Sequence, residues 1–303
     1  PFMKPAESLY VTVDDGAQLH LRHFPGAGHP VFLVHGAIEN GRIFYSNNGK
    51  GLAPYLQRQG FDVYVLDLRG RGKSLPKVDA QSLHGQHESI VVDLPAASAF
   101  IAQRRPNTEQ IWGSHSWGGV LQMSTLARDP SCRARVRALV HFATKRAISV
   151  WSLSRLVRVE LGWKVIARVA TRLVGYLPAP SMGFGSDVET RESMASSLAW
   201  VGSGPWVDPR DGFDYGVAAR QVEWPPSLWL TGTKDRLLGH PKDVKNFMVE
   251  CGVNESSFIM VGRAHGHQQD YGHITLLTHP DAPGDHFSQV AAWIKGQEGA
   301  RVE

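Results

Sequence analysis

The run Ile-Trp-Gly-Ser-His-Ser-Trp-Gly-Gly, residues 111 to 119, sets two serines around a histidine and ends in a glycine pair. A serine hydroxyl is neutral and weakly nucleophilic, so it does chemistry only where a base takes its proton and an acid orients that base. In Ser114-His115-Ser116-Trp117-Gly118 the residues two before and two after the central serine are small. A nucleophile on a sharp strand-to-helix turn requires this, because bulky side chains at those places would collide with the strained backbone. Gln110-Ile111-Trp112-Gly113 reads as a strand leading in, and Val120-Leu121-Gln122-Met123 as a helix leading out. Ser116 is therefore the expected nucleophile and Ser114 a turn filler; the alternative reading of Ser116 is a surface turn serine.

The elements that must carry this turn can be traced along the chain. Tyr10 to Val13 and Gln18 to Phe24 flank Asp14-Asp15-Gly16, a hairpin signal. Val31 to Val34 is a compact apolar run ending at His35-Gly36. A helical pattern covers roughly Gly51 to Gln59, a strand follows over Asp62 to Asp67, and a longer helix is expected over Gly85 to Gln103. Strands are expected again at Glu109 to Trp112, Arg137 to Phe142, Pro226 to Leu230 and Ser257 to Val261, before a terminal helix over His286 to Lys295. An antiparallel start followed by repeated strand–helix units implies an α/β fold, with a mostly parallel central sheet covered by helices on both faces. From Thr144 to Trp224 no strand is evident, so this stretch reads as a helical cap inserted into the sheet's connections. The expected organisation is a core of 1–144 and 225–303, with a cap over 145–224.

The chain has 303 residues, 42% of them hydrophobic and 20% charged, which suits one large globular α/β domain. Its formal net charge of +4 comes without blocks of like charge, so nucleic acid is not an expected partner. Two cysteines, Cys132 and Cys251, make no disulfide framework. No apolar run of about eighteen residues suggests a membrane span. The opening Pro-Phe-Met-Lys-Pro lacks a signal-peptide core, which makes a cytoplasmic location the default, although a leader preceding Pro1 stays open.

The sequence resembles the α/β-hydrolase family along nearly its whole length, most closely its lipase and esterase branches. The resemblance rests on five groups in the family's order. They are His35-Gly36-Ala37, Asp67-Leu68-Arg69-Gly70-Arg71-Gly72-Lys73-Ser74, Ser114-His115-Ser116-Trp117-Gly118-Gly119, Gly232-Thr233-Lys234-Asp235 and Tyr271-Gly272-His273. By that resemblance Asp235 takes the role of the acid and His273 that of the base, in the Ser–Asp–His order of this fold. It also implies an oxyanion hole made by the backbone N–H groups of Trp117 and Ala37. His35, Gly36, His115 and His267 are further candidates for substrate contact. No metal and no cofactor is implied.

Alternatives stay open at several positions. His265 and His267 compete with His273 as the base, and His265-x-His267 with Asp270 offers metal ligands. Asp208 and Asp211 could replace Asp235, although Asp-Pro-Arg-Asp-Gly reads as a turn. Asp67 is expected to bond its own loop rather than react. Gly70 to Ser74 ends like a phosphate loop, but that motif needs glycine where Asp67 stands, which rejects a nucleotide site there. Trp151 to Leu177 mixes apolar residues with Arg155, Arg158, Lys164, Arg168 and Arg172, which fits a lid helix better than a membrane-surface helix. The expected reaction is hydrolysis of small-molecule esters with hydrophobic acyl groups, through an acyl-enzyme. Thioesterase, carbon–carbon hydrolase and aminopeptidase chemistry fit the same triad. A non-catalytic small-molecule-binding protein of this fold is the reading from another class, and oligomeric state is not legible.

Overall fold

Val31 and Leu33 point to one side of the strand Pro30–Val34 (β3), and Phe32 and Val34 to the other; both sides are buried in separate apolar clusters. Alternation with period two, apolar on both faces, is the mark of a central strand covered by two layers. The computed structural model describes residues 4–150, 165–253 and 256–299.

The strands Glu7–Thr12 (β1) and Gln18–Phe24 (β2) form the expected hairpin, with Gly16 in the left-handed region at φ 85°. Asp62–Asp67 (β4) pairs antiparallel with β2 and parallel with β3. Gln110–His115 (β5) and Val136–Phe142 (β6) continue the parallel sheet beyond β3. A short antiparallel pair, Tyr176–Leu177 (β7) with Glu189–Thr190 (β8), stands apart from it. Ser227–Gly232 (β9) and Ser256–Val261 (β10) complete an eight-stranded sheet in the order β1-β2-β4-β3-β5-β6-β9-β10.

One face is covered by Leu52–Arg58 (α1) and the terminal helix, which close over Val31, Leu33, Ile111 and Val140. The other is covered by Leu94–Arg104 (α2) and Trp117–Arg128 (α3) over Phe32, Trp112 and Leu139. The long helix expected from Gly85 is broken into a turn at Gln86–Glu88, a π-helical turn at Ser89–Asp93, and α2. The break directly precedes Pro95, which has no N–H for the ladder and presses on the preceding turn.

The segment between β6 and β9 is not purely helical, which corrects the expectation of no strand there. It contains Arg168–Val174 (α4), the β7–β8 pair, Arg191–Val201 (α5) and Tyr215–Arg220 (α6). Residues 151–164 of the expected basic amphipathic stretch lie outside the described residues. Within α4, Val169 and Leu173 are exposed beside Arg168 and Arg172, so that surface is mixed rather than simply charged. Trp200 and Trp206 are buried with Tyr215 and Phe247 in the cluster that also holds Phe32 and Trp112. The helix Pro241–Cys251 (α7) follows β9, capped by the His240 side chain and ended by Gly252 at φ 68°. The terminal helix, His286–Gly299 (α8), extends slightly past its expected end. Among the described residues no helix is long and apolar enough to cross a membrane.

Candidate active site

Ser116 lies between β5 and α3 with φ 51° and ψ −123°, a conformation that costs a non-glycine residue about 1–3 kcal/mol and persists only when its surroundings enforce it. They do so here: the Ser116 N–H donates to the Phe142 carbonyl at 2.8 Å, and Thr144 Oγ1 donates to the Ser116 carbonyl at 3.0 Å. The small-residue requirement is equally concrete. A Cβ on Gly118 would strike the carbonyl oxygens of Val34 and His35. Ser114 does more than fill the turn, since its Oγ sits 2.7 Å from His141 Nδ1. Burial pushes the His141 imidazole down to about 3, so that ring is neutral.

His273 Nε2 lies 2.9 Å from Ser116 Oγ, and His273 Nδ1 lies 2.5 Å from Asp235 Oδ2. The other Asp235 oxygen accepts the Gly239 N–H at 2.8 Å, and the Lys234 N–H donates to the Tyr271 carbonyl at 2.8 Å, which ties the loop of Asp235 to the loop of His273. Burial raises the Asp235 carboxyl, but the His273 charge and hydrogen bonds outweigh it, leaving Asp235 below the usual carboxylate range. Burial holds His273 below the ordinary histidine value against the pull of Asp235, so the ring is a free base at neutral pH. The N–H groups of Ala37 and Trp117 are donated to no other group among the described residues. Trp117 directly follows Ser116, and Ala37 follows Gly36, where an added Cβ would lie 3.0 Å from the Ser116 Cβ.

The remaining candidates for substrate contact have polar groups engaged within the protein. His35 is wholly buried; its Nδ1 donates to the Gly36 carbonyl at 2.9 Å and its Nε2 accepts the Leu68 N–H at 3.0 Å. The Gly36 N–H is taken by Glu39 Oε1 at 2.5 Å. His115 is wholly buried, with Nδ1 2.7 Å from Glu39 Oε1 and Nε2 donating to the His273 carbonyl at 3.0 Å. Because that carbonyl has no proton to give, His115 Nε2 must carry one. Burial opposes charge on both Glu39 and His115, yet each partner shifts the other toward its charged form. Imidazolium and carboxylate therefore face one another beside His273, the His115 and His273 rings 4.7 Å apart. His267 is held under α8, accepting the Gly262 N–H at 3.2 Å, with Nε2 3.2 Å from Gln289 Oε1.

The competing acids are bound away from His273. Asp208 Oδ2 is 2.9 Å from His87 Nδ1 and accepts from the Tyr215 hydroxyl at 2.7 Å, and Asp211 pairs with Arg128. Ligand atoms of His87, Asp208 and Asp211 lie within 4.8 Å of one another, but the Arg128 guanidinium shares that cluster and reads it as an ion-pair network. Asp270 accepts from Thr233 Oγ1 and the Arg263 N–H. Asp67 bonds its loop as expected, accepting the N–H groups of Gly41 and Lys73 and facing His20 Nδ1 at 2.7 Å.

Three features of the site escaped the sequence reading. Glu39 is one; its only signal is an acid three residues after Gly36, the spacing at which a carboxylate turns back on an N–H. The second is a clasp from the segment around β8. Glu189 accepts the Ile38 N–H at 3.2 Å and pairs with Arg71 at 2.7 Å, while Asp187 accepts from Asn40 Nδ2 at 2.9 Å and from the Gly72 N–H at 2.7 Å. The third is Lys145, buried 5.6 Å over the Trp117 ring, with an ammonium that burial pushes down to about 8.

The fold recurs in solved structures. A soluble variant of monoglyceride lipase from Saccharomyces cerevisiae, in complex with a substrate analogue, superposes with TM-score 0.69 at 12% identity over 97% of this chain and 95% of that one. An esterase from Pyrococcus furiosus gives 0.60 at 15% identity over 97% and 92%. A thioesterase domain from the curacin biosynthetic pathway gives 0.57 at 16% identity over 96% and 100%. No curated protein matches the sequence. The profile of the hydrolase family described as serine aminopeptidase, S33, matches residues 27–206, more than half of the chain, and the chain belongs to that family of α/β-hydrolases.

Proposed function

We propose that this hydrolase cleaves carboxylic esters through an acyl-enzyme on Ser116. The observation that carries the reading is the unbroken chain Ser116 Oγ, His273, Asp235, with contacts of 2.9 and 2.5 Å. His273 takes the hydroxyl proton as Ser116 Oγ attacks the acyl carbon, and Asp235 keeps the imidazole oriented and offsets its transient charge. The carbonyl oxygen becomes an oxyanion facing the N–H groups of Trp117 and Ala37. His273 then protonates the leaving alcohol, and a water activated by the same ring releases the acid. The segment between β6 and β9 serves as a cap over this centre. An apolar acyl group is supported by Ile38, Met182 and Phe184, partly buried apolar residues that each pack against the cap's cluster around Leu177 and Met194.

Fluorophosphonate labelling of the wild type and Ser116→Ala, with a chain-length series of nitrophenyl esters, tests the reading. Labelling is expected to vanish in the variant, and activity to persist into medium acyl chains. Labelling that survives the substitution overturns the nucleophile. Binding of an ester without turnover favours a receptor, and activity confined to acetate removes the apolar acyl group.

A further inference from the structure

A groove of about 730 Å³ opens between β2, α1 and the loop after β4, and five cations line it: Lys4, Arg22, Arg42, Arg58 and Lys73. None of the five forms an ion pair among the described residues. Arg22 reaches only Ser8 Oγ at 3.5 Å, Arg58 the Gly49 carbonyl at 3.2 Å, and Arg42 lies 5.8 Å over the Tyr45 ring. Arginines elsewhere on this fold, such as Arg69, Arg71, Arg105 and Arg146, have carboxylate partners. The one acid of the groove, Asp67, is buried and already bonded to His20 and two backbone N–H groups, so it does not offset the cations. Like charges converging on a concave surface concentrate a positive field that draws in anions.

Size and position narrow the ligand. The volume lies in the range of small-molecule sites and far exceeds one phosphate. Phe24 and Tyr45, in edge contact at 5.5 Å, add an aromatic flank. No residue of the reacting centre lines the groove, but its rim is tied to that centre through the loop after β3. Its rim residue Asn40 follows Glu39, whose carboxylate bonds the Gly36 N–H, and Asp187 joins Asn40 to Gly72 across the rim.

We infer that the groove holds the phosphorylated nucleotide end of an acyl thioester, of the kind coenzyme A forms, whose acyl carbon reaches Ser116. This rests on Ser116 being the nucleophile. In the step implied, Ser116 Oγ bonds to the thioester carbon, the carbon–sulfur bond breaks, and the thiolate takes the proton that His273 removed from the serine. Water then cleaves the acyl-enzyme to the free acid.

The test compares butyryl-coenzyme A with S-butyryl-N-acetylcysteamine, which has the same thioester and no nucleotide. Both are measured in the wild type and in an Arg42→Gln, Arg58→Gln, Lys73→Gln variant, three exposed side chains. The wild type is expected to favour the nucleotide thioester by about tenfold or more in kcat/KM, through KM, with that ratio collapsing toward one in the variant. Adenosine 3′,5′-bisphosphate is expected to inhibit the wild type competitively and the variant about tenfold less. A wild-type ratio near one, or a ratio the triple substitution leaves unchanged, overturns the inference. So does variant-sensitive binding to phosphatidylglycerol vesicles with no effect of the bisphosphate, which would make the groove a lipid-headgroup site. Ser116→Ala separates the two readings. It should abolish hydrolysis of both thioesters and still bind the bisphosphate, and residual hydrolysis would sink the nucleophile while leaving the groove to be judged by binding.

Discussion

Replacing His115 with glutamine is expected to move the acid limb of the kcat/KM profile to higher pH. The limb reports protonation of His273, which must be neutral to take the serine's proton. In the wild type the His115 cation lies 4.7 Å from the His273 ring and disfavours a second positive charge there. At an effective dielectric constant of about 20, unit charges at that distance repel by about 3.5 kcal/mol, roughly 2.6 pH units as an upper bound. His273 keeps some solvent access, with 12% of its side chain exposed, so a shift of about 1 to 2 units is expected. The sign does not depend on Glu39. An ionised Glu39 left behind raises His273 further, and a Glu39 that picks up a proton still leaves the nearer cation removed. Glutamine retains an N–H placed to donate to the His273 carbonyl, so the backbone of the base keeps its support. The assay is a pH–rate profile of nitrophenyl butyrate hydrolysis from about pH 4.5 to 9. An acid limb that stays put or moves down would refute the charged pair.

Asp235→Asn should fold normally and lose about ten-thousand-fold in kcat, because the amide presents the wrong partner to His273 Nδ1; a loss under tenfold would remove Asp235 from the triad. Gly36→Ala brings a methyl to 2.7 Å from Glu39 Oε1 and 3.0 Å from the Ser116 Cβ, so kcat/KM should fall about a hundredfold while circular dichroism stays unchanged. Lys145→Met should stabilise the fold by about 2 to 3 kcal/mol at neutral pH in denaturant titration. The lysine titrates near 8 when folded and 10.5 when unfolded, so its penalty is complete below 8 and fades as pH climbs to 10.5. A stability gap between the two proteins that widens with rising pH would contradict that sign.

Much of the frame was legible because its strands announce themselves. Val31 to Val34 and Asp62 to Asp67 are short apolar runs, and burial on two faces is the only environment that rewards such runs in an α/β chain. The turn around Ser116 was legible because steric exclusion leaves a trace in residue size. The connection from β6 to β9 was less so. β7 and β8 are two residues each, too short to produce a period that a sequence could show. The histidines show the same limit. His35 and His115 lie where a substrate contact would be guessed, yet their nitrogens are occupied by Gly36, Leu68, Glu39 and the His273 carbonyl. Those are contacts across long sequence separations, and nothing local in a sequence encodes the partner of a buried ring nitrogen.

The clasp formed by Asp187 and Glu189 ties the segment between β6 and β9 mechanically to the loop after β3. Two carboxylates grip Ile38, Asn40, Arg71 and Gly72, and Ile38 in turn accepts the N–H groups of Ser186 and Asp187. On the mechanism proposed above, lifting that segment to admit a substrate would slacken the strip of backbone that carries Ala37. Under that mechanism entry and turnover would alternate, since the posture that lets a molecule in is not the one that steadies its oxyanion.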